Sequence, residues 1–142
     1  MNEIKEDFVN LETAKLLRDN GFDEYCDYEY GIPDISSEKY VLQKFFKSIK
    51  NSELIDEAYT APTLQRTLKW IRREYKIHII STPEYGDVEY MPGEWQEEFL
   101  GWKYTLIPIE GKSPVMHPAI YAQTPESSLE AAIQYCLTYL NK

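Results

Sequence analysis

Ala61 to Ser81, APTLQRTLKWIRREYKIHIIS, is the stretch on which the fold turns. Thr63 carries a short hydroxyl side chain of the kind that accepts an orphan backbone N–H at a helix start, and Pro62 before it suits the entry. Leu64, Leu68, Ile71 and Tyr75 follow at spacings of 4, 3 and 4, the apolar stripe of an amphipathic helix over 63–75. The pattern then changes without a break. Ile77 to Thr82 has strand propensity throughout and stops at Pro83. A capped helix running straight into a strand predicts helices packed on a sheet.

The same stretch sets the charge layout. It holds 5 of the chain's 15 Lys and Arg residues, against a net charge of −9. Residues 1–60 carry 14 acids and 7 bases, residues 61–82 carry 5 bases and 1 acid, and residues 83–101 carry 6 acids and no base. One basic island therefore lies between two acidic blocks. The overall charge argues against a nucleic-acid binder, because phosphate neutralisation needs clustered Lys and Arg.

At 142 residues, 43% apolar and 27% charged, the chain has the size and composition of a single globular domain. It has no apolar run of the ~18 residues that a membrane span needs, and its acidic N-terminus is no signal peptide. Cys26 and Cys136 are far apart and suggest no disulfide framework. A cytoplasmic protein with packed thiols is expected.

Outward from the central stretch, Asn10 caps a first helix that Asn20-Gly21 ends, with Phe22 as the apolar contact after the cap. Residues 24–30 alternate acids with Tyr and Cys and read as a short strand, at a sheet edge because of the acids. Val41, Leu42, Phe45, Phe46 and Ile49 after Ser36-Ser37-Glu38 predict a helix over 38–50, with a strand at 40–46 as the competing reading. Residues 83–101 show no clean period and predict a long loop. Trp102 to Ile109 is a strand, Glu110-Gly-Lys112 a turn and 117–122 a partner strand held to an edge by Pro114 and Pro118. Thr124 caps the last helix, with Pro125 at its first position. The fold class is α+β, a small mixed or antiparallel sheet with helices packed on it.

Several pieces carry a resemblance: Glu12–Phe22, Asn51-Ser-Glu-Leu54, Ala61-Pro-Thr63, Lys69–Glu74, Ile77-His-Ile79 and Ser128–Ile133. In this order they resemble a family of small uncharacterised proteins of bacterial genomes and their prophages. The resemblance implies an accessory protein and offers no catalytic residue to carry over. Segments 30–50 and 84–100 match least.

No chemistry announces itself. Cys26, His78, His117 and Cys136 are ligand types for zinc, but no two are close in sequence, so no metal site is expected. There is no nucleophile motif and no Gly-rich phosphate loop, so neither a catalytic residue nor a cofactor is assigned. Glu94, Glu97 and Glu98 around Trp95 could line a glycosidase-like cleft, yet a charge run in a loop is usually a solvated face. On the helix, Arg66, Lys69, Arg73 and Lys76 fall within an arc of about 80°, and Trp70 lies about 40° beyond Arg66. Trp70 beside two arginines is an exposed anchor for a partner or a covered residue. We expect the acidic segment 83–101 to cover it. Tyr25, Tyr28, Tyr30, Tyr85 and Tyr90 lie among acids, which suits a protein interface or a half-buried sheet equally.

These features point to a non-enzymatic accessory or protein-binding module whose contact face is acidic and Tyr-rich, over 23–34 and 84–99. In one variant that face mimics nucleic acid on a basic partner. The alternative is a small-molecule binder or enzyme with a cleft between loop 83–101 and helix 63–75. A homodimer joined through the edge strand 24–30 is a third reading.

Overall fold

Each helix begins at a capping side chain. In the computed structural model, which describes residues 7–33, 39–55, 57–111 and 114–142, α1 spans Leu11–Asp19, α2 spans Leu64–Tyr75 and α3 spans Pro125–Tyr139. The side chains of Asn10, Thr63 and Thr124 accept from the backbone N–H of Thr13, Arg66 and Ser127. Each satisfies one donor that the first helical turn leaves unpaired. Gly21 takes φ 87° after α1, and the Phe22 N–H returns to the Leu17 carbonyl at 2.9 Å. All three helices stand where their caps and apolar spacing predict.

The strands form two antiparallel sheets of three, where the sequence suggested one. In the first, β1 (Cys26–Gly31) lies between β2 (Val41–Ile49) and the short β3 (Tyr59–Thr60). In the second, β5 (Glu94–Pro108) lies between β4 (Ile77–Met91) and β6 (Val115–Ala122). The α+β class holds.

Three expectations are corrected. Residues 38–50 are strand, not helix, over Val41–Ile49. Val41 and Leu42 are each 40% exposed and Phe46 is fully exposed, so the helix-like spacing of apolar residues marks no buried face. What decides the segment is pairing: β1 needs a neighbour for its backbone groups, and β2 runs beside it from Gly31↔Val41 to Tyr28↔Lys44. For the same reason 24–30 is no edge strand, since β1 is flanked on both sides. Residues 83–101 are not a loop, because β4 and β5 pair almost to their tips. The start signal at Ser36–Glu38 and the turn residue Lys112 lie outside the described residues.

The core gathers on α3. Its buried Ala132, Ile133, Cys136 and Leu137 belong to one cluster with Leu17 of α1, Trp70, Ile71 and Tyr75 of α2, Ile79 of β4 and Leu106 of β5. The helix packs on α1, α2 and all three strands of the second sheet. α1 in turn touches β3, which joins the first sheet to this body.

Candidate interaction surface

Ile79 pairs with Leu106 in the register of β4 and β5, and both are buried under the helices. Side chains on a strand alternate, so the face that starts at Ile79 continues through every second residue. It runs through Ser81↔Tyr104 and Pro83↔Trp102, then Tyr85↔Phe99, Asp87↔Glu97 and Glu89↔Trp95. The shift between Glu84 and Tyr85 is a bulge at Leu100 in β5, and it keeps Phe99, Glu97 and Trp95 on that same face.

The third strand does not follow. β6 ends at Ala122, opposite Trp102, so beyond that point β4 and β5 form a two-stranded arm. Gly101 marks the junction. Its φ is 135°, and a Cβ there would lie 2.6 Å from Tyr121 Cβ and 2.9 Å from the Ala122 carbonyl. Pro92-Gly93, with Gly93 at φ 79°, closes the tip. From Glu84 to Met91 the arm reaches about 25 Å at the usual strand rise.

The arm has no cover among the described residues. Trp95 is 62% exposed, Tyr85 58% and Phe99 48%. Tyr85 and Phe99 touch across the strands at 5.5 Å between ring centroids, and Phe99 meets Trp102 at 6.1 Å, which ties the base of the arm to the sheet. The acids differ in their partners. Glu84 is paired with Lys103 at 2.8 Å, and Glu89 accepts from the Gly93 N–H at 2.9 Å. Asp87 and Glu97 stand directly opposite each other, and their side chains make no ion pair or hydrogen bond among the described residues.

The other candidates are placed elsewhere. Trp70 is buried, at 3% exposure, but the acidic segment 83–101 is not what covers it. Phe22 and Tyr75 meet its ring at 5.3 and 6.0 Å, and Lys142 Nζ lies 5.5 Å from its centroid. The polar Thr67 brings Trp70 onto the buried side of the helix. It is fully buried, its hydroxyl donating to the Thr63 carbonyl, and it widens the buried arc of α2 from Leu64 round to Trp70. A count of apolar residues alone leaves that gap open.

Arg73 and Arg66 reach Glu24 at 2.8 and 3.7 Å, so part of the basic face is answered by the acidic block at 23–30. Tyr30 donates to the Val9 carbonyl at 2.6 Å, the Tyr28 ring meets Phe8 in a tilted contact at 4.6 Å, and of these three tyrosines only Tyr25 is half exposed. Of the two acidic, Tyr-rich pieces, then, 84–99 forms a free surface and 23–31 is largely built into the fold. Glu94 and Glu98 project from the opposite face of the arm to Trp95 and Glu97, so the acids around Trp95 do not converge.

Burial raises the Cys26 thiol to about 11 and the Cys136 thiol to about 12, so neither is a ready nucleophile near neutral pH. No group of three or more His, Cys, Asp or Glu among the described residues could hold a metal. A cavity of about 420 Å³ lies at the start of α3 beside Asp7, Asn10 and Leu64, and one of about 520 Å³ lies between Tyr75, Leu106, Tyr135 and Leu140. Neither is lined by Trp70 or Trp95. No helix among the described residues is long and apolar enough to cross a membrane. No family model matches the chain, and no curated protein or solved structure is significantly similar to it.

Proposed function

We propose that the chain is a non-enzymatic accessory module of the bacterial cytoplasm that binds another protein through the β4–β5 arm. The observation behind this reading is the face of Tyr85, Phe99 and Trp95, which continues the core side of the sheet past the end of β6 and is left uncovered by the described residues. Monomeric proteins seldom expose aromatic groups together, whereas interfaces are enriched in them. The resemblance to a family of small uncharacterised proteins of bacterial genomes and their prophages supports the accessory role. Immobilised wild type and the W95S/F99S variant, compared in a bacterial lysate, test the reading. A protein retained by the wild type should be lost from a variant whose circular dichroism is unchanged, and identical retention overturns the proposal.

A second reading, a small-molecule binder, has the 520 Å³ cavity in its favour, with Lys76 and Glu110 at its rim beside apolar walls. The cleft that the sequence suggested would have needed a loop at 83–101, and the chain pairs as strands there. Saturable shifts of Tyr135 and Leu140 resonances in a screen of apolar fragments would favour this reading.

A further inference from the structure

The arm's uncovered face has a definite order. Going outward, it presents the Tyr85–Phe99 pair, then the Asp87–Glu97 pair, then Glu89 beside Trp95. Like charges directly opposite on an antiparallel pair repel. Some acids of the chain are answered by bases: Lys103 on Glu84, Arg66 and Arg73 on Glu24. The Asp87–Glu97 pair receives none among the described residues, although it is flanked on both sides by exposed rings.

Resting on the arm as the interface, we infer that its occupant is a basic protein segment, with a lysine or arginine head seated on the Asp87–Glu97 pair. Alternate residues on a strand are about 7 Å apart, so a cation over the carboxylates lies within reach of the Tyr85–Phe99 rings on one side and Trp95 on the other. Carboxylates supply the charge and ring faces strip water from it, the combination that suits a guanidinium. The two aromatic positions are separated by about 14 Å, the span of roughly four extended residues, so the site matches a peptide better than a free ion. The 6 acids and no base of residues 83–101 repel nucleic acid. A second copy is the poorer occupant, since each carries −9 and Arg66 and Arg73 are engaged by Glu24.

The test uses acetylated hexa-arginine amide as probe, with the hexa-citrulline analogue as its uncharged match, titrated by calorimetry into the full chain. Three variants separate the causes. D87N/E97Q removes the acidic pair, E94Q/E98Q removes the same charge from the opposite face, and W95S/F99S removes the rings. The expected result is saturable binding of the arginine peptide alone. It should weaken tenfold or more in D87N/E97Q and W95S/F99S, and less than threefold in E94Q/E98Q. Equal weakening by the two charge variants means general attraction to an acidic protein and overturns the inference, as does absence of binding to the wild type. If the lysate partner depends on W95S/F99S but not on D87N/E97Q, the arm remains an interface and only its basic occupant is refuted. If neither variant matters there, both proposals fall. Light scattering that finds a dimer broken by D87N/E97Q would assign the face to a second copy instead.

Discussion

Residues 23–31 and 84–100 are written in the same alphabet, acids alternating with aromatics, and they end in opposite situations. The first becomes the middle strand of its sheet: Glu24 is held by two arginines, Tyr30 bonds the Val9 carbonyl and Tyr28 packs on Phe8. The second pairs only with itself beyond Trp102, and its rings and most of its acids face water. Composition does not separate them. What does is whether another strand, helix or tail lies alongside, and that is a property of the assembled fold. The difference also ranks the two as interaction surfaces, because only groups without partners inside the chain are free to be met from outside.

The largest expected effect compares two tryptophans. Trp70 sits among Phe22, Tyr75 and Lys142, so Trp70→Ala opens a cavity in the core and should cost about 3–5 kcal/mol. Trp95 lies in the open, and Trp95→Ala should change stability by no more than ~0.5 kcal/mol. Urea unfolding of the two variants measures both. Comparable losses would mean that the arm is packed in solution and the contrast between the regions is false.

Next comes the acid that the first region has answered. Glu24→Gln breaks its pairs with Arg73 and Arg66, which are about half exposed, so solvent screening limits the loss to about 1 kcal/mol or less. The loss should shrink as salt rises. A stability unchanged at low salt would show that Glu24 contributes no more to the fold than the acids of the arm do.

Parts of this were legible in the chain and parts were not, for reasons that lie in particular residues. The helices were, because Asn10, Thr63 and Thr124 cap the turns that immediately follow them and so need no tertiary information. Strand β2 was legible only as the competing reading at 40–46, since Phe46 is fully exposed and Val41 and Leu42 are partly so, and the spacing of unburied apolar residues carries no period. The arm escaped for a related reason: with both faces wet along Met91–Leu100, nothing forces apolar and polar residues to alternate. The signal available was Pro92-Gly93 between two runs of similar length, a turn dipeptide at the centre of the supposed loop. Trp70 is covered as expected, but by Phe22, Tyr75 and Lys142 and not by the acidic segment, because the buried arc of α2 includes Thr67, which is polar by type and buried by position. Trp95, Glu94, Glu97, Glu98, Tyr85 and Tyr90 were singled out from the sequence, but Asp87, Glu89 and Phe99 were not, because the face they share depends on a register and on the bulge at Leu100.

The smallest effect is the most specific to the arm, and its sign is opposite to that at Glu24. Asp87 faces Glu97 across the strands with no base between them among the described residues, an arrangement that costs about 0.2–1 kcal/mol. Glu97→Gln should therefore stabilise the arm, while Glu24→Gln destabilises the sheet it serves. Because among the described residues β6 stops at Ala122, opposite Trp102, and the arm beyond it is two-stranded, the gain should be local. Amide exchange should slow across Tyr85–Val88 and Gln96–Phe99 and stay unchanged in α3. Conservation of charge by Glu97→Asp should give no such protection. Faster exchange in Glu97→Gln would mean that the carboxylate is satisfied within the free chain, and the pair would then have no need of a cation from outside.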